Sequence, residues 1–186
     1  MRLFLAIPIP DSTQKIVGNL ISALRELPGA RGSFPKPTNL HLTVYFLGEH
    51  PETVLPKLKT AISELLLTQS QLSDFMLEQI GVLPNLRNAR MLYLGGIASP
   101  ELSDFVTAVR NTCSVVGVNG DNKPFLPHIT VMRIKEISDQ KTWQERMMRV
   151  RFVPQSIPLR ELILFKSDLS EHGPTYTPLL NWRIGK

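Results

Sequence analysis

The amino-acid sequence predicts an α+β fold: two pseudo-symmetric lobes with antiparallel sheets flanked by helices, set around a central cleft. Three observations lead there. Capped helices alternate with short strands of the hairpin type, which argues against a parallel, doubly wound sheet. One strand pattern, H-x-T-V, occurs twice, in "NLHLTVYFLGEH" at residues 39–50 and in "FLPHITVMR" at residues 125–133. The surroundings of the two copies also correspond: a capped helix, a proline-containing loop, the H-x-T-V strand, then another helix. The unit is too long and too degenerate for a solenoid repeat. It fits an internal duplication about a pseudo-twofold axis, so residues 1–186 are expected to form a single domain of two similar lobes.

In chain order, residues 2–7 read as a first strand. The apolar start "MRLFLAIPIPD" is too short for a secretory leader, contains Pro8 and Pro10, and lacks a small-residue cleavage site. "DSTQ" then suggests a capping box, with Asp11 as N-cap and Gln14 reaching back, followed by Ile16, Val17, Leu20, Ile21 and Leu24 at helical spacing. "PGARGSFPKPT" reads as a loop into the His41 strand. Pro51 and Glu52 open a second helix. Two strand candidates follow, "DFMLEQIGVL" and "ARMLYLGGI". Ser99, Pro100 and Glu101 start a third helix, with Leu102, Phe105, Val106, Val109, Cys113 and Val116 inward and Gly117 ending it. After the His128 strand come a short basic helix around 139–149 and strands near 157–166 and 176–184.

Bulk composition narrows the function classes. With 42% hydrophobic and 20% charged residues in 186, the chain is not a disordered one. No apolar run reaches 18 residues, so no spanning helix and no membrane partner are expected. One cysteine, Cys113, excludes an intrachain disulfide framework. Cys113 is expected in the core, and a reducing cytoplasm as the location. Lys and Arg number 21 against 16 Asp and Glu, a net charge of +5. That moderate excess favours an anionic partner such as nucleic acid or a nucleotide.

The two strands carry the chemistry. Side chains at i and i+2 share a face, which groups His41, Thr43 and Tyr45 against Leu42, Val44 and Phe46. The second copy groups His128, Thr130 and Met132 against Ile129, Val131 and Arg133. A lone strand histidine is usually structural; two copies with the same threonine and valine point to a site. Zinc is a poor fit, because the pattern supplies no cysteine and no H-x3-H or carboxylate spacing. A serine-hydrolase triad lacks its G-x-S-x-G elbow. Acid–base chemistry on a phosphate fits: one neutral imidazole accepts a proton, the other, protonated, donates one. Threonine hydroxyls beside them can donate to the non-bridging oxygens. No metal or other cofactor is required.

These blocks, with the opening "MRLFLAIPIPD" and the late "LILFKSDLSEHGPTYTPL", resemble the two-histidine (2H) phosphoesterases, and within them the RNA 2′,3′-cyclic phosphodiesterases or 2′-5′ RNA ligases. The resemblance covers nearly the whole chain and implies two α+β lobes lining a central cleft. It implies an enzyme that takes RNA ends or nucleotides bearing 2′,3′-cyclic phosphate to 2′-phosphates without metal, with 2′-5′ ligation by related chemistry; a monomer is expected. It makes His128 the general base that activates water and His41 the acid that protonates the departing 3′ oxygen, with Thr43 and Thr130 beside them. The family often has an aromatic at Phe46 and an arginine at Arg133. Strand phase makes Phe46 a core residue, leaves Arg133 to reach the substrate from the strand end, and gives Tyr45 to the cleft face as a substrate contact. The family's tryptophan in the loop before the first motif is missing; "ARGSFPKP" offers Phe34 for stacking or packing. Lys123 and Phe125 are candidates for the cleft wall, Tyr176 for the sheet or cleft, and His172 for the rim, while His50 is expected at the surface. The alternative is an RNA- or nucleotide-binding module without turnover.

Overall fold

The computed structural model of the chain describes residues 1–171 and 173–185; His172 lies outside them. The elements are β1 (Arg2–Pro8), α1 (Asp11–Arg25), β2 (Ala30–Ser33), β3 (His41–Glu49), α2 (Leu55–Thr68), β4 (Phe75–Leu77), β5 (Gln79–Leu83), β6 (Met91–Gly95), α3 (Pro100–Val115), β7 (His128–Ile137), α4 (Gln140–Met147), β8 (Gln155–Ile157), β9 (Glu161–Ser170) and β10 (Gly173–Arg183). Two four-stranded antiparallel sheets form, ordered β10-β9-β1-β3 and β2-β7-β6-β5, and β4 pairs with β8. The expected fold class is therefore the observed one, and the sheets are the two lobes. Among the described residues no helix is long and apolar enough to cross a membrane.

Four elements of each half correspond in chain order: β1 with β6, α1 with α3, β3 with β7, α2 with α4. The lobes are nevertheless not consecutive halves of the chain. The β9–β10 hairpin, late in sequence, completes the first sheet beside β1. Conversely β2, read as part of a loop, crosses to the second sheet and pairs with β7. It escapes sequence reading because its four residues, "ARGS", two half-buried and two exposed, carry no apolar alternation.

Local signals account for most helix ends. Ser99 Oγ accepts the Leu102 N–H at 3.2 Å, Pro100 takes the first helical position, and Gly117 stops α3 at φ +77°. The capping box at α1 differs from expectation. Pro10 is the N-cap, Asp11 lies inside the first turn, and Gln14 Nε2 reaches back to the Ile9 carbonyl at 2.8 Å. The inward faces of α1, α2 and α3 meet the buried faces of both sheets in one continuous cluster. It includes Val17, Ile21, Leu58, Ile62, Phe105, Val109, Leu42, Leu94, Val131 and Leu164, and it encloses Cys113, whose thiol burial pushes up to about 12.

Candidate active site

Each H-x-T strand contains a β-bulge one residue after the threonine, and the bulge decides what faces the cleft. In β3, Thr43 pairs with Ala6 and Tyr45 with Leu5, so Val44 is the extra residue. In β7, Thr130 pairs with Tyr93 and Met132 with Leu92, so Val131 is extra. An extra residue shifts the alternation by one. Tyr45 and Met132 therefore join the core face, at 5% and 3% exposure. Phe46 and Arg133 turn to the face of the histidines. Strict period-2 phase assigns Tyr45 to the cleft and Phe46 to the core, and the bulge corrects both. Phe46 is 41% exposed and its ring lies 6.0 Å from that of Phe4, which touches His41. Arg133 needs no reach from the strand end.

The two histidines are held by the same local device. His41 Nδ1 donates to the carbonyl of Asn39 at 2.7 Å, and His128 Nδ1 donates to the carbonyl of Leu126 at 2.7 Å. A carbonyl only accepts, so the proton sits on Nδ1 and the neutral ring presents Nε2 as an acceptor. Each ring also leans on an aromatic from the neighbouring strand: Phe4 on β1 for His41 (4.9 Å), Tyr93 on β6 for His128 (5.6 Å). Neither aromatic stands out in the sequence. The signal that finds them is the match between "RLFLAI" and "MLYLGG", whose third residues coincide once the lobes are superposed in register.

The surroundings then diverge. His41 receives a second ring, Tyr176 on β10, edge-on at 5.2 Å, within an aromatic wall of Phe4, Phe165 and Tyr176. Asn39, whose carbonyl holds His41, is itself tied to β10 through Nδ2 to the Pro174 carbonyl at 2.9 Å. Around His128 the partners are different. Tyr93 lies over Gly81, where any Cβ would strike its ring, and Thr130 Oγ1 donates to Met91 Sδ at 3.2 Å.

Electrostatics ties the two faces together. Burial lowers the His41 imidazole to about 4; the Asn39 bond opposes that, and charge on His128 and Arg133 adds to it. Burial also lowers His128, against the Leu126 bond and with Arg133. Burial raises the Tyr176 phenol, opposed by Arg133 and Arg2. Arg133, on the second sheet, thus acts on groups of the first, as charge on His128 does on His41, and β3 and β7 touch. With both rings lowered from an ordinary 6.5, both imidazoles are neutral near pH 7.

The remaining candidates fall elsewhere. Phe34 packs on the core edge with the Arg25 guanidinium 4.7 Å from its ring centre. Phe125 packs against the core; Lys123 is 85% exposed beside Asp121. His50 is half-buried, with Nε2 donating to the carbonyls of Leu47 at 3.0 Å and Asn119 at 3.3 Å.

Comparison with known proteins bears on the family and the fold. A family model described as the 2'-5' RNA ligase superfamily matches residues 10–171. An RNA 2',3'-cyclic phosphodiesterase of Methanocaldococcus jannaschii is 28% identical, over 98% of this chain and 100% of that one. One from Thermus thermophilus is 30% identical, over 96% and 88%. Among solved structures, one from Thermus thermophilus superposes with a TM-score of 0.74 at 28% identity, covering 100% of both chains. Escherichia coli LigT complexed with 3'-AMP gives 0.73 at 25% identity, covering 100% of this chain and 98% of that one. The chain belongs to the 2'-5' RNA ligase superfamily.

Proposed function

We propose that the protein opens 2′,3′-cyclic phosphates on RNA ends or nucleotides to 2′-phosphates by acid–base catalysis shared between His41 and His128. The observation that carries the reading is the pair of imidazoles, each with Nδ1 tied to the carbonyl two residues upstream so that the neutral ring presents Nε2 as an acceptor, and close enough that charge on His128 acts on His41. His128 Nε2 takes a proton from water, whose oxygen attacks phosphorus. His41 Nε2 gives a proton to the 3′ oxygen as the P–O3′ bond breaks. His41 must be protonated first. The anionic phosphodiester brings a negative charge beside His41 that offsets burial and the Arg133 field.

Thr43 and Thr130 donate to the non-bridging oxygens, where charge accumulates. Thr130 gives up only a weak sulfur acceptor in doing so. Arg133 compensates the phosphate charge, and Phe46 offers an exposed aromatic face to a nucleobase. That Escherichia coli LigT has been solved complexed with 3'-AMP supports a nucleotide as the class of ligand. The same steps with a 5′ hydroxyl in place of water join a 2′,3′-cyclic end to it: His128 takes the hydroxyl proton as the P–O5′ bond forms, and the 3′ oxygen leaves with the proton from His41.

The test is incubation with a 2′,3′-cyclic-phosphate RNA in EDTA, with 2′- and 3′-monophosphate products resolved. The 2′-phosphate is expected, at an unchanged rate in EDTA. A 3′-phosphate product, or turnover only with added metal, contradicts the mechanism. RNA binding with no turnover leaves the binding-module reading instead.

A further inference from the structure

Tyr45, turned into the core by its bulge, ends on a contact between the lobes. Its hydroxyl accepts the N–H of Gly120 at 2.7 Å, and the next N–H, of Asp121, donates to the carbonyl of Phe46 at 2.9 Å. The His50 imidazole reaches the Asn119 carbonyl of the same turn. Residues 119–121 belong to the connection from α3 to β7, so the segment that delivers His128 is stitched to the strand that carries His41. The Arg110 guanidinium of α3 lies 5.3 Å from the Tyr45 ring centre on the same side.

The other lobe shows the mirror arrangement. β2, which precedes His41, pairs with β7 at Arg133. A Cβ on Gly32 would stand against the Arg133 carbonyl and 2.9 Å from the Met132 methyl carbon, while one on Gly120 would stand against the Phe46 carbonyl and 2.8 Å from Tyr45 Cζ. Phe46 and Arg133 are the fifth residues after their histidines, and Tyr45 and Met132 the fourth. Each half of the chain thus lays the segment ahead of its own histidine against the other half's histidine strand, at the same position, through a glycine that nothing larger can replace without movement. The two crossings differ in kind: β2 forms a ladder, whereas 119–121 is held by the Gly120 and Asp121 N–H groups and the His50 imidazole.

We infer that this reciprocal crossing sets the spacing of His41 and His128, and that the Tyr45 hydroxyl is a positioning group for the reaction, acting through His128. The inference rests on the two-histidine reading. A cyclic phosphate needs base and acid on opposite sides of one phosphorus at once, and displacement by a fraction of an ångström to 1 Å costs roughly 10- to 100-fold in rate. Tyr45→Phe keeps the ring, its core packing and the Arg110 contact, and removes only the acceptor for Gly120.

The experiment is a double-mutant cycle on 2′,3′-cyclic-phosphate hydrolysis: wild type, Tyr45→Phe, His128→Ala and the double variant, each checked for folding by thermal melting. Tyr45→Phe is expected to lower kcat roughly 10-fold with KM within about twofold, and to cost nothing further once His128 is absent. Gly120→Ala, whose new Cβ pushes the turn off Phe46, should behave alike and serves where the first variant melts early. Wild-type kcat in Tyr45→Phe, or the same fold loss with and without His128, overturns the inference. Failure of the underlying reading is separately visible, as a His128→Ala enzyme with undiminished turnover.

Discussion

At His41, burial disfavours the charged imidazole, and the consequence reaches stability as well as catalysis. The folded ring titrates at about 4, the free side chain at 6.5. Above pH 6.5 both states are neutral and the stabilisation is complete. As pH falls from 6.5 toward 4 the unfolded chain takes up a proton that the folded one does not, and up to about 3 kcal/mol is lost. His41→Asn removes this component. Urea unfolding at pH 7 and pH 4 should show the wild type losing more stability than the variant by that order; equal losses would contradict the burial account. His128, also lowered by burial, moves in the same direction. At this scale much is legible in the sequence. The histidines and threonines follow from a repeated four-residue pattern. Tyr176 is also a sheet or cleft candidate from the sequence. The aromatic neighbours Phe4 and Tyr93 are not, because they depend on which strands become neighbours, and the use of the Asn39 and Leu126 carbonyls depends on how the chain bends into each strand.

The strands determine which side chains share the cleft, and here one-dimensional reading meets its physical limit. Alternation holds only while pairing is regular, and one extra residue reverses it. "HLTVYF" and "HITVMR" look regular, with no glycine or proline at Val44 or Val131 to mark a bulge. Alternation alone thus puts Tyr45 on the wrong face and Phe46 wrongly in the core. The paired glycine and tyrosine of β5 and β6 give a test of how far the sheet supports His128. Gly81 and Tyr93 are directly opposite, and Gly81→Ala would drive the Tyr93 ring from its place under the imidazole. The variant should lose about 1–3 kcal/mol by overpacking and should lower kcat with Thr130 and Arg133 unaltered. Unchanged melting and unchanged kcat together would show that Tyr93 is not a support for His128.

Across the whole molecule, the duplication is readable and its wiring is not. Two capped helices and two H-x-T strands announce two lobes, yet each sheet borrows from the other half of the chain: β9 and β10 close the first, β2 edges the second. Such exchange leaves no local signature, since β2 and residues 119–121 have no periodicity of their own and matter only through what they lie against. The result is one cleft in which each histidine depends on both halves, so the two imidazoles should behave as a single catalytic unit. Single-turnover hydrolysis of a 2′,3′-cyclic-phosphate RNA by the wild type, His41→Ala, His128→Ala and the double variant tests this directly. Each single replacement should cost on the order of 10²- to 10⁴-fold, and the double variant little more than either. A double variant whose loss is the product of the two, or a single replacement that leaves the rate intact, would contradict shared acid–base catalysis.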